Sequence, residues 1–307
     1  HCWRCGMSLV YRLVGEWFIA CDEIRPLMLA AARQVRWVPE HSGKRMEDWL
    51  RNMGDWCISR KRYWGLPLPF YESDTGELVV VGSRAELRQL AVDPDLADGL
   101  PELHRPWIDG VEIRTPSGDT ARRVTEVGDC WLDAGIVPFS TLGLLAGDTE
   151  AQAQWFPADF VVEMREQIRL WYYSMLFMSV VLDGRPPYRT VMTYEKMADE
   201  NGRPMHKSAG NAIWFDEAVE QAGAEPMRWL FAGQNPSLNI GFGYGPLGDV
   251  KRRFLTLWNT YRFYVQYANL DGLNPHDVAV GDGSTPIDRW LRFRLHVVVR
   301  TGGQSLE

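Results

Sequence analysis

The polar and apolar positions change period several times along the chain, and each change predicts a different element. Leu9-Val10-Tyr11-Arg12-Leu13 alternates and Glu16-Trp17-Phe18-Ile19 follows, so residues 1–25 read as a small β-rich module. Leu27, Leu29, Ala32, Val35 and Trp37 then recur at spacings that suit a helix from Arg25 to Trp37, and Arg45 to Met53 predicts a second short helix. Leu78-Val79-Val80-Val81 reads as a strand. Ser83 to Ala91 reads as a helix, with Ser83 as N-cap and Glu86 completing a capping box. Pro94 to Gly118 is a loop-rich insertion.

Further on, Asp159-Phe160-Val161-Val162-Glu163 predicts a buried parallel strand ending on a carboxylate. Gln167 to Leu182 predicts a long apolar helix, and Tyr188 to Thr193 the next strand. Strand, helix, strand is a βαβ unit, so the expected fold is α/β with a doubly wound parallel sheet and ligands at the carboxyl ends of its strands. Helices are predicted at Asp216 to Ala222 and Ala224 to Ala232. Another runs from Asp249 to Ala268, carrying Phe254, Leu257, Trp258, Tyr261, Val265 and Tyr267, and one more begins at Pro286 and reaches Arg300. The tail is therefore expected to be an α-helical domain.

Composition narrows the class. With 307 residues, 46% apolar and 24% charged, the chain can form a packed core and is not disordered. A net charge of -7 excludes a generally basic nucleic-acid coat, so RNA contact must be local. Local basic clusters are Arg60, Lys61 and Arg62, then Lys251, Arg252 and Arg253, then Arg289, Arg292, Arg294 and Arg300. Five unevenly spaced cysteines do not make a disulfide framework, and no apolar run approaches membrane-spanning length, so a cytoplasmic protein without a membrane role is expected. The chain starts without Met inside a motif and reads as a piece of something longer.

Four stretches carry candidate chemistry. Asp55-Trp56-Cys57-Ile58-Ser59-Arg60-Lys61-Arg62-Tyr63-Trp64-Gly65 concentrates planar and cationic side chains, which suit base stacking and phosphate grip; cations lying over Trp faces of an amphipathic strand fit equally. Asn201 to Ser208 is a loop holding Lys207 and Ser208, suited to triphosphate or simply solvated. Glu163, at a strand end, is a candidate cation-binding carboxylate, whereas Trp171 reads as ordinary core. Asp129 and Asp133 are paired carboxylates four residues apart, as acid/base or metal chemistry uses.

Together these stretches resemble the class I aminoacyl-tRNA synthetases, most closely the isoleucyl branch. The aromatic block is similar to the family's W-C-I-S-R-x-R-Y-W-G. Met205-His206-Lys207-Ser208 resembles the K-M-S-K-S loop, with Pro204 and His206 in place of its first lysine and middle serine. Glu163-Met164-Arg165-Glu166-Gln167-Ile168-Arg169-Leu170-Trp171 resembles E-G-x-D-Q-x-R-G-W, with Met164 and Leu170 replacing glycines. Asp129 to Gly135 resembles D-V-W-F-D-S-G, with Ala134 in place of the serine.

The resemblance implies roles. Lys207 and Ser208 would steady the phosphates of ATP, and Glu163 and Gln167 would hold the adenylate. Trp131 and Trp171 would shape the amino-acid pocket. Arg60, Arg62 and Trp64 would bind the acceptor end of tRNA(Ile) or support the pocket. ATP with Mg2+ and isoleucine would be the small-molecule partners, with valine or leucine as alternative substrates. Glu163 and Lys207 would meet at the rim of one sheet.

Cys2 and Cys5 resemble half of a zinc ribbon. Zn2+ needs four ligands, and the places for a second knuckle, around Glu72-Ser73-Asp74-Thr75 and Thr115-Pro116-Ser117-Gly118, contain no cysteine. The expected organisation is a knuckle-like return segment at 1–25 and the C-terminal half of a Rossmann-like catalytic domain at 26–215, with an insertion near 70–128. A connecting segment at 216–248 and the start of a helical anticodon-binding domain at 249–307 complete it. No H-x-G-H motif is present, so the protein is expected to act as a monomer containing that motif elsewhere or to pair with a separate N-terminal half. A degenerate paralogue that binds RNA or a protein partner without activating an amino acid is the alternative reading.

Overall fold

The computed structural model describes all residues except 3–4, 144–146, 148, 278–280, 282–284 and 307, and the side chain of Ser208. The chain divides into two compact units. One comprises His1–Ala198 with Asn235–Gly241, the other Asp199–Gln234 with Phe242–Glu307.

The first unit is organised around a parallel sheet of the strands Ala158–Met164, Tyr188–Tyr194 and Arg36–Val38, in that order. Register is set by Phe160 opposite Thr190, Glu163 opposite Thr193 and Met192 opposite Val38. The helix Trp171–Asp183 joins the first two strands as the expected βαβ crossover and ends at Gly184, whose φ of 74° only glycine adopts freely. Its Tyr172, Leu176 and Val180 pack with Met28 and Ala32 of the helix Arg25–Ala32 and with Met46 and Leu50 of the helix His41–Asn52. Val191 joins this core from the sheet.

Three sequence expectations are corrected here. The alternation at Leu9 to Leu13 builds no strand, and those apolar side chains are exposed; only Phe18–Ile19 pairs, antiparallel to Trp56–Cys57. The helix expected to reach Trp37 stops at Ala32, and Arg36–Val38 joins the sheet instead, because Tyr188–Tyr194 offers it a free edge. The strand Ala158–Met164 is not buried on both faces: Phe160 is 55% and Val162 46% exposed, while Val161 faces the core.

The insertion forms its own four-stranded antiparallel sheet from Phe70–Ser73, Leu78–Val80, Glu112–Arg114 and Thr120–Arg123. Ser83 caps the helix Arg84–Leu90 through the Glu86 N–H at 3.1 Å, and Glu86 Oε2 reaches back to the Gly82 N–H at 2.7 Å. Tyr71, Val111 and Ile113 fill the centre of this module. Arg123, almost wholly buried, is held by Asp109 and by the carbonyls of Leu68 and Glu126.

The second unit holds the helices Phe215–Ala222, Ala224–Ala232, Tyr244–Leu270 and Pro286–Leu306. Ala218, Ala222, Met227, Phe242 and Leu247 form its core. No described helix is long and apolar enough to cross a membrane.

Candidate functional site

Glu163 and Gln167 stand on either side of the point where the strand Ala158–Met164 leaves the sheet. The chain turns through the 3-10 segment Arg165–Arg169 before entering the helix Trp171–Asp183. That helix lacks a Ser, Thr or Asp cap; instead the Gln167 Oε1 accepts from the Trp171 N–H at 3.1 Å. Glu163 is half-buried, and its Oε1 accepts from the Met164 N–H at 3.0 Å and from the Tyr194 hydroxyl at 3.1 Å. Burial, reinforced by the Glu163 charge, pushes the Tyr194 hydroxyl up, so it stays a donor.

A cavity of about 590 Å³ opens beside this turn, within the size range of small-molecule sites. One wall is Arg45, Asp48, Trp49 and Asn52, at i, i+3, i+4 and i+7 on one face of the helix His41–Asn52; the other is Arg165, Glu166 and Arg169. Glu195, one residue past the strand Tyr188–Tyr194, is buried between two guanidiniums, with Arg45 at 3.3 Å and Arg165 at 2.8 Å. Residues following all three parallel strands thus meet at the carboxyl rim, where α/β sheets place their ligands.

A second cavity of about 310 Å³ shares Trp49 and Arg169 with the first and is lined further by Trp56, Arg60, Asp129 and Trp131. The Arg169 guanidinium lies 5.4 Å from the centre of the Trp49 ring and has no carboxylate within ion-pair distance among the described residues. Trp131 enters this cavity from the start of the helix Cys130–Ser140. Trp171 lines neither cavity; its indole N–H donates to the Ala134 carbonyl at 3.1 Å, which ties it to that same helix.

Asp129 is a structural hub. Its Oδ2 accepts from Trp56 Nε1 at 3.2 Å and from the Arg60 guanidinium at 3.0 Å, and its Oδ1 caps the helix Cys130–Ser140. Those bonds leave it unsuited to acid/base work. Asp133 is open to solvent on one side, and the partial burial of its carboxyl pushes it up against the opposing influence of His104.

The aromatic block divides by role. Arg60 is committed to Asp129 and to the carbonyls of Cys57 at 3.0 Å and Ser59 at 2.7 Å, so it supports the cavity wall. Arg62 and Trp64 are exposed, and Trp64 stacks on His104 of the insertion with centroids 4.6 Å apart and planes 5° apart. Arg105 lies over Tyr63 at 5.1 Å. No cation of the block lies over one of its Trp rings among the described residues; the cation over Tyr63 comes from the insertion, and Arg62 faces outward.

Lys207 belongs to the second unit and is described there by itself. Its loop is closed by Asn211, whose amide donates to Asp199 Oδ2 and to the Pro204 carbonyl, both at 3.1 Å, and accepts from the His206 N–H at 3.0 Å. The Asn211 hydrogen bond is also the leading reason the Asp199 carboxyl is held below the usual range. Lys207 is exposed, with its ammonium 4.3 Å from the centre of the Trp214 ring. Ser208, paired with it in the sequence reading, has a side chain outside the described set.

Near Cys2 and Cys5, the Gly6 N–H bonds the Cys2 carbonyl at 2.8 Å. Among the described residues no group of three or more His, Cys, Asp or Glu is placed to hold a metal, so the pair does not by itself fit tetrahedral zinc. Sequence reasoning missed Tyr194, Trp49, Arg169 as a cavity wall, and Trp214. The one available signal was that Tyr194 ends a strand at the ligand-facing rim.

The model of the family described as tRNA synthetases class I (I, L, M and V) matches residues 8–241. Isoleucine–tRNA ligase of Methanopyrus kandleri is 39% identical over 327 aligned positions, covering 100% of the chain and 30% of that relative. Isoleucine–tRNA ligase of Methanothrix thermoacetophila is 37% identical, covering 98% of the chain and 28% of that relative. The chain therefore spans under a third of the length of these relatives. Among solved structures, Mycobacterium tuberculosis methionyl-tRNA synthetase in complex with methionyl-adenylate superposes with a TM-score of 0.52 at 15% identity, over 80% of this chain and 39% of that one, a likeness of fold. The parallel βαβ unit, the helical region that follows it in sequence and the family match over most of the sequence lead to one conclusion: the chain belongs to the class I tRNA synthetases.

Proposed function

We propose that this chain is the later part of the catalytic domain of an isoleucine–tRNA ligase, followed by the opening helices of its tRNA-binding region. The supporting observation is collinear similarity to isoleucine–tRNA ligases along the whole chain, with Glu163 and Gln167 at the carboxyl rim of a parallel sheet. In this reading the limits 1–25, 26–215, 216–248 and 249–307 mark the return segment, catalytic half, connector and anticodon-binding start. The intact protein would join isoleucine to ATP, releasing pyrophosphate and forming isoleucyl-adenylate, and then pass the acyl group to the terminal ribose of tRNA(Ile).

The isoleucine carboxylate attacks the α-phosphorus in line, so the reaction calls for positioning and charge stabilisation rather than a protein base. Glu163 and Gln167 would hold the adenylate, Lys207 and Ser208 the departing phosphates, and Trp131 and Trp171 the side-chain end. Arg60 would brace the pocket, while exposed Arg62 and Trp64 would meet the acceptor end. Mg2+ would arrive with ATP and neutralise its phosphates. The protein would work in the cytoplasm, as one polypeptide or with a separately encoded N-terminal half supplying the H-x-G-H segment.

Isoleucine-dependent ATP–pyrophosphate exchange by the full-length gene product tests this reading, with valine and leucine as competing substrates. Exchange fastest with isoleucine is expected. A folded protein with no exchange would instead favour the second reading, a paralogue that binds RNA or a protein partner. That reading draws on Met164, Leu170, Ala134, Pro204 and His206, all of which depart from the family pattern in ligand-facing motifs.

A further inference from the structure

The two oxygens of Glu163 are not equivalent. Oε1 accepts from the Met164 N–H at 3.0 Å and from the Tyr194 hydroxyl at 3.1 Å, which occupies both of its lone pairs. Oε2 has no hydrogen-bond partner among the described residues and is not a buried orphan, so it is the oxygen open to a ligand. Sheet register produces this arrangement. Met164 lies opposite Tyr194 and Glu163 opposite Thr193 in the parallel pair, so the tyrosine and the carboxylate reach the same rim from adjacent strands.

Tyr194 is free for this task because its neighbours are otherwise engaged. Tyr172, the other titratable group facing Glu163, donates to the Met192 carbonyl at 3.2 Å, and Thr193 is bonded to Ser42 at 2.5 Å. We propose that Tyr194 is a positioning residue, whose hydroxyl pins Oε1 of Glu163 and so presents Oε2 to the α-ammonium group of the amino-acid ligand. This rests on the reading of Glu163 as an adenylate-holding carboxylate. A carboxylate free to rotate would spend part of its time with neither oxygen aligned, and the ammonium would lose a charge-assisted hydrogen bond.

Tyr194→Phe keeps the ring and removes the hydroxyl; Glu163→Gln tests the underlying reading. Affinities for isoleucine and for 3-methylpentanoate, which lacks the α-ammonium group, are measured by calorimetry on the full-length gene product. Isoleucine should bind Tyr194→Phe roughly 3- to 10-fold more weakly, the equivalent of one hydrogen bond, while 3-methylpentanoate binds it as it binds the wild type. Unchanged isoleucine affinity in Tyr194→Phe, or an equal loss for isoleucine and 3-methylpentanoate, overturns the positioning role alone. Wild-type affinity in Glu163→Gln, or no isoleucine binding by the wild-type protein, overturns the reading of Glu163 and the proposal with it.

Discussion

Gly135→Ala separates backbone preference from packing at the helix that carries Trp131. Within the helix Cys130–Ser140 an alanine would by itself be better than glycine by about 0.5–1 kcal/mol. Packing opposes it. A Cβ at this position would stand 2.7 Å from the Ser174 carbonyl oxygen, 2.8 Å from its carbonyl carbon and 3.1 Å from Met178 Cγ. Ordinary contacts lie at about 3.5 Å, so the two helices must part by roughly 0.8 Å. The obstacle is backbone and cannot swing aside. Overpacking costs about 1–3 kcal/mol, and a rigid backbone obstacle puts this site in the upper half of that range, leaving a net loss of about 1–2.5 kcal/mol after the gain in helix preference. For a unit of this size that corresponds to a fall in melting temperature of about 2–10 °C, to be read by calorimetry, with urea unfolding giving the free energy itself. Gly302→Ala is the control, since nothing lies within 4 Å of a Cβ there, and it should not destabilise. Gly135→Ala melting at or above the wild type would refute the close approach of the two helices.

Asp109→Asn should destabilise by about 1.5–3 kcal/mol, the loss of hydrogen bonds between charged groups, because buried Arg123 loses its carboxylate but keeps the Leu68 and Glu126 carbonyls. Burial pushes the Asp109 carboxyl up, but Arg123 and Arg105 outweigh it and hold it below the usual value. Its stabilisation is therefore complete above the unfolded carboxylate range, near pH 4, and disappears as pH falls through the lower folded value; the gap between wild type and variant, followed by urea unfolding, should close over that interval. A gap independent of pH would show that Asp109 is not ionised in the fold. Lys207→Ala should slow ATP–pyrophosphate exchange at least about tenfold while leaving the melting temperature unchanged, since the side chain is exposed on Trp214. A large drop in melting temperature would make it a structural lysine.

Elements with complete local signals were legible in the sequence. Ser83 and Glu86 announced a helix start by chemistry confined to four residues, and the strands Ala158–Met164 and Tyr188–Tyr194 announced themselves by apolar runs flanking an apolar helix. Elements that depend on a distant partner were not legible. Arg36–Val38 is too short to carry a period and becomes a strand only because another strand offers an edge. Leu9 to Leu13 has the alternation of a strand and finds no partner, so its period predicts nothing. The helix Cys130–Ser140 was hidden by Gly135 and Pro138, residues that argue against helix locally. Its glycine is present for the approach to Ser174, and its cap, Asp129, was read as a candidate for chemistry.

The same distinction governs the site. Glu163, Gln167 and Trp131 were found through motif resemblance and lie at or beside the carboxyl rim, yet the residues that hold them came from the fold alone. Tyr194 reaches Glu163 by sheet register, and Arg169 reaches Trp49 across 120 positions of sequence. Positioning residues of this kind act through a neighbour, so their identity follows from which strand or helix lies alongside, a property that no local pattern encodes. Departures from a family motif must accordingly be judged with their neighbours. Met164 replaces a glycine, but what it gives Glu163 is a backbone N–H, which any residue except proline supplies. Pro204 removes a cation that no backbone group replaces. Of the two changes the second therefore weighs more heavily against catalysis, and the exchange rate restored by Pro204→Lys, set beside that of Met164→Gly, measures the difference: a larger gain from Met164→Gly would reverse the order argued here.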